Sequence, residues 1–144
     1  MGTGAAGRVG LQGLQGSFDH DVHLVVPADA QHVRLARLVA SGIATQAGFH
    51  VEDVADFRIA VDELCATLLE TTQFSVALRF TVTGGVVEVE GRTTGPAPSP
   101  PDPLRMDLAR QILDVVADGY ELDLVDGRAV FKLTKRVVEV DARG

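Results

Sequence analysis

The pattern of apolar residues along this chain predicts an α+β two-layer sandwich. One mixed or antiparallel sheet carries its helices on a single face, in the order β-α-α-β-β-α-β-β. Three observations support this. Three stretches repeat their apolar residues every three to four positions, as amphipathic helices do. Other stretches are short and strand-like, several with strict alternation. Turn residues such as Thr83-Gly84-Gly85 and Asp126-Gly127 join the strand-like runs in pairs.

His20-Asp-Val-His-Leu-Val-Val26 reads as the first strand, closed by Pro27. Asp29 is placed to cap the first helix, which runs to about Ala47 and stops at Gly48. Val33, Ala36, Val39, Ala40 and Ile43 form its apolar stripe, while Arg34, Arg37 and Ser41 share another face. The second helix starts near Val51 and runs to Leu69 or Glu70, with Val54, Phe57, Val61, Leu64 and Leu68 toward the core. Glu63 and Thr67 lie four apart on a neighbouring face. Phe74 to Val82 and Val86 to Glu90 are the next two strands. Five prolines in the eleven residues Thr93 to Pro103 predict a stiff loop, partly extended. A third helix is expected from about Leu104 to Ala117, with Leu108, Ile112, Val115 and Val116 inward. Tyr120 to Val125 and Ala129 to Val138 complete the sheet.

The 144 residues suffice for one domain with a real core. Residues 18–140 are expected to form it, after a glycine-rich, flexible tail over 1–17. The net charge of −7 argues against nucleic acid as a partner, because phosphate contacts need clustered Lys and Arg. It favours a basic protein partner. No apolar run reaches the ~20 residues of a membrane span, and no signal core precedes the domain, so a cytoplasmic protein is expected. Cys65, the single cysteine, excludes an intrachain disulfide and reads as a small buried hydrophobe. The four histidines show no metal-ligand spacing.

Three segments, in this order and spacing, carry a resemblance over about residues 20–138. They are His23-Leu-Val-Val-Pro-Ala, Arg58-Ile-Ala-Val-Asp-Glu-Leu-Cys-Ala-Thr and Gly127-Arg-Ala-Val-Phe-Lys-Leu-Thr-Lys-Arg-Val. Together they resemble the anti-sigma-factor serine kinases, small bacterial members of the histidine-kinase-like (GHKL, or Bergerat) ATPase fold. The resemblance implies a catalytic role for Glu63, as the N-box glutamate that positions or deprotonates the nucleophile. As a plain helix acid, Glu63 would instead pair with Arg58 or Arg79. It implies Mg-ATP as cofactor, with the metal held one turn later, where this chain has Thr67 in place of asparagine. It implies an adenine-reading loop where this chain has Thr93-Thr-Gly95-Pro, and a phosphate cradle where it has Asp107-Leu-Ala109. Asp107 beside a triphosphate at ~5 Å, with an effective dielectric of about 20, would cost about 3 kcal/mol.

These departures make Thr67, Thr93, Gly95 and Asp107 a degenerate nucleotide-binding set. The expectation is an anti-sigma factor that sequesters a sigma factor by direct binding, with weak or absent ATP binding. The resemblance also implies a homodimer, an anti-anti-sigma antagonist as second partner, and the first-helix face, with Arg34 and Arg37, as the partner-binding surface. The rival expectation is an active ATP-dependent kinase that phosphorylates a serine of the antagonist.

Overall fold

The computed structural model describes residues 20–96, 99–126 and 128–137. The expected tail over 1–17 lies outside the described residues, as do the ends of the expected domain at 18–19 and 138–140. The elements run β1 (His20–Pro27), α1 (Ala30–Gln46), α2 (Val51–Leu69), β2 (Ser75–Thr83), β3 (Val86–Thr94), α3 (Pro103–Val116), β4 (Gly119–Val125) and β5 (Arg128–Arg136). The five strands form one sheet in the order β1-β2-β3-β5-β4, with every neighbouring pair antiparallel. Of the two arrangements the sequence allowed, mixed or antiparallel, the sheet is antiparallel throughout.

Alternation decides which face of the sheet is buried. Val76, Leu78 and Phe80 on β2, Val87 and Val89 on β3, and Ala129, Phe131 and Leu133 on β5 all point to the helices. The opposite face is polar, with Arg79 paired to Asp21 at 3.1 Å and Lys132 to Glu88 at 3.7 Å. α2 is the central helix, packed between α1 and α3 and against β2, β3 and β5. Its Phe57 is fully buried and meets Phe49 and Phe80 edge-on, with ring centroids 6.0 and 6.4 Å apart. Burying such a ring contributes about 2–3 kcal/mol. At the start of α2, Lys135 of β5 tucks its stem under the helix and reaches Asp53 at 3.7 Å.

Two expectations need correction. The second hairpin strand does not stop near Glu90 but continues through Thr94, so Thr93 is a strand residue and not part of a loop. The inward positions Val87, Val89, Gly91 and Thr93 keep strict alternation, and β-branched threonine suits a strand. Gly91 hid this continuity, yet it is where α2 comes closest. A Cβ there would stand 2.5 Å from Leu64 and 3.0 Å from Leu78.

The second correction concerns α3. Its buried residues are Met106, Ala109, Leu113 and Val116, while Leu108 and Val115 face outward. Both faces carry apolar residues, and the reading chose the bulkier one. The small side chain of Ala109 allows the close approach to α2 that decided the rotation.

Candidate functional site

α2 places charged residues on both flanks, and the adjacent acids Asp62 and Glu63 look opposite ways. Asp62 faces α1, where Arg37 Nε lies 3.0 Å from its Oδ1. Glu63 faces α3, where the guanidinium of Arg105 donates a hydrogen bond to its Oε2. Arg105 also lies 3.5 Å from Glu70, two turns further along the same stripe of α2. Glu63 therefore pairs with neither Arg58 nor Arg79, the partners expected of a plain helix acid. Arg79 is held by Asp21 across the sheet, and Arg58 faces the α1 side.

The two flanks differ in exposure. The side chains of Glu63 and Arg105 are 13% and 18% exposed, against 47% and 40% for Asp62 and Arg37. Burial pushes the Glu63 carboxyl above its ordinary value. Arg105 opposes that shift, and the negative charges of Asp62 and Glu70 add to it.

Thr67 lies on the same stripe between Glu63 and Glu70. It is fully buried, and its hydroxyl donates to the Glu63 carbonyl at 3.0 Å, the usual bond of a threonine inside a helix. Thr93 is buried at the end of β3, where Arg128 donates to its Oγ1 at 3.3 Å and also to the carbonyl of Gly95. Gly95 has φ +92°, and a Cβ there would lie 2.5 Å from the Phe74 ring, so both conformation and contact call for glycine. Beyond it, the Ser99 amide donates to Thr71 O at 3.0 Å, tying the proline-rich segment to the end of α2.

α3 then opens on Asp102, whose side chain accepts from the Leu104 amide at 3.0 Å, followed by Pro103, which has no N–H. Asp107 lies further in, exposed, and pairs with Arg110 at 3.6 Å. The structure thus brings Glu63 and Thr67 onto one stripe with Glu70 and Arg105. It leaves Asp107 at the surface and gives Thr93 and Gly95 to Arg128.

On the other flank, Arg34, Arg37, Leu38 and Ser41 of α1 and Arg58, Ile59 and Asp62 of α2 line a groove of about 450 Å³. Sequence reasoning found the α1 half and missed the α2 half. Arg58 and Asp62 stand one turn apart, a spacing that could have revealed it. Arg105 was also missed. Its signal was a cation in the first turn of a helix, where the helix dipole disfavours it unless an acid lies nearby. Arg128 carried no such signal. Among the described residues, no group of three or more His, Cys, Asp or Glu is arranged to hold a metal ion. No helix among them is long and apolar enough to cross a membrane.

This geometry has counterparts among known proteins. Serine-protein kinase RsbW of Bacillus cereus is 28% identical over 67 residues, which are 46% of this chain and 42% of that protein. RsbW of Bacillus thuringiensis is 33% identical over 49 residues, 34% of this chain and 31% of the relative. The chain thus spans less than half the length of the curated relatives it matches. A crystal structure of the RsbU and RsbW domains of a Mycobacterium tuberculosis protein superposes with a TM-score of 0.65. It covers 81% of this chain and 32% of that one at 17% identity, a likeness of fold. The model of the histidine-kinase-like ATPase domain matches residues 26–141, and the chain belongs to that family.

Proposed function

We propose that this protein is an anti-sigma factor that holds a sigma factor by direct contact, with weak or absent ATP binding. The observation that carries this reading is the groove between α1 and α2. Three guanidinium groups, from Arg34, Arg37 and Arg58, surround the exposed apolar side chains of Leu38 and Ile59, against the single carboxylate of Asp62. On a chain of net charge −7 such a basic patch is out of character. It suits a partner segment with apolar residues flanked by carboxylates, which arginine can grip in a planar fork.

The other flank supports the low-nucleotide half of the reading, because its residues do not fit Mg-ATP. Thr67 is buried with its hydroxyl on a backbone carbonyl. Glu63 is engaged by Arg105. The opening of α3 offers few free amides for phosphate, since Pro103 has none and Asp102 takes that of Leu104. Partner competition would then release sigma, with an antagonist of the anti-anti-sigma type displacing it from the same groove. A homodimer in the cytoplasm completes the proposal.

Calorimetric titration tests both halves. A cognate sigma factor is expected to bind the wild type and to lose at least tenfold in affinity with Arg37→Glu, while Mg-ATP gives no micromolar binding. Unchanged sigma binding in Arg37→Glu would remove the groove from the proposal. Micromolar Mg-ATP binding, with turnover lost in Glu63→Ala, would establish the rival serine kinase.

A further inference from the structure

Arg105 occupies an awkward place on its own helix. It is the third residue of α3, close to the positive end of the helix dipole, and the first turn of α3 contains no acid. What holds it there lies on α2, in Glu63 and Glu70. Two carboxylates two turns apart on one partly buried stripe repel each other, and a cation between them relieves that cost. The same arginine closes a run of attachments that carries the chain from the end of β3 across the end of α2. Arg128 grips the Gly95 carbonyl, Gly95 seats on Phe74, and Ser99 bonds to Thr71.

We propose that Arg105 is a tethered counter-cation, standing between Glu63 and Glu70 where a divalent metal ion would otherwise be drawn. In this role it straps the segment leading into α3 onto α2. The inference rests on the reading that this flank is closed to nucleotide, and it adds the group that closes it. A guanidinium satisfies the two acids permanently, whereas a metal ion would bind and leave with its concentration.

The test is thermal unfolding of the full chain in EDTA and in a magnesium or manganese titration. Wild type is expected to melt at the same temperature throughout. Arg105→Gln, which keeps a polar side chain of similar reach but no charge, is expected to melt lower in EDTA. It should regain about 3–5 °C once the metal exceeds its Kd tenfold. Arg105→Gln combined with Glu63→Gln should lose that response, and Arg105→Lys, which keeps the cation, should not acquire it.

A folded Arg105→Gln protein indifferent to divalent metal overturns the proposal, and so does a metal response in wild type. Should Arg105→Gln fail to fold in EDTA, refolding in magnesium decides the matter, with recovery supporting the proposal and failure to recover overturning it. The Mg-ATP titration of wild type is read separately. Micromolar binding there removes the closed-site reading, while its absence alongside a metal-blind Arg105→Gln removes only the strap.

Discussion

The two ion pairs that flank α2 use adjacent acids and the same type of cation, yet they behave as different devices. Arg37–Asp62 is open to solvent and lies in a groove with spare cations, so its charges remain available to a partner. Arg105–Glu63 is mostly covered, hydrogen-bonded and backed by Glu70, so its charges are spent within the fold. Burial separates the two. Water screens an exposed pair to less than about 1 kcal/mol, while removing one member of a covered pair strands the other in poor solvent.

The largest effect should come from breaking the covered pair. Glu63→Ala leaves Arg105 with only the more distant Glu70 and is expected to cost about 2–3 kcal/mol in denaturant unfolding. A loss below about 0.5 kcal/mol would mean that the pair is a surface contact in energetic terms.

A smaller effect should appear in the pH dependence. Burial raises the Glu63 carboxyl above its ordinary value of 4.5, so the folded state holds this proton more tightly than the unfolded one. The contribution is fully present below the ordinary value and is lost as pH rises through the raised one. Glu63→Gln should flatten that part of the stability profile, and a wild-type profile that climbs across the same window on account of this residue would contradict the sign. The smallest effect should come from Arg37→Ala, which is expected to change stability by no more than about 0.5 kcal/mol and to do so less at high salt. A larger loss would show that the exposed pair supports the fold as well.

The same contrast explains what the sequence revealed. Strand and helix order was legible because periods of two and of three to four residues follow directly from backbone geometry. The Asp29 cap was legible for a similar reason, and its side chain does accept from the His32 amide. The rotation of α3 was not legible, because Leu108 and Val115 are as apolar as Leu113 and only packing against α2 chooses between the two stripes. The end of β3 was obscured by Gly91, whose reason for being there is Leu64 on another element.

At the candidate site, Arg34 and Arg37 could be placed on one helix face from their spacing alone. The partner of Glu63 could not, because 42 residues separate it from Arg105 along the chain. Thr67 was read as a weak metal ligand, but the burial that takes its hydroxyl out of reach depends on the tertiary fold.

Cys65 stands two residues from Glu63 on α2, fully buried, with burial pushing its thiol up to about 12. It is the only cysteine of the chain. A thiol in that state does not react with a water-soluble labelling reagent until the helix around it opens. The protein thus carries its own clock for the breathing of its central helix, and one labelling rate reports how firmly either flank holds that helix shut.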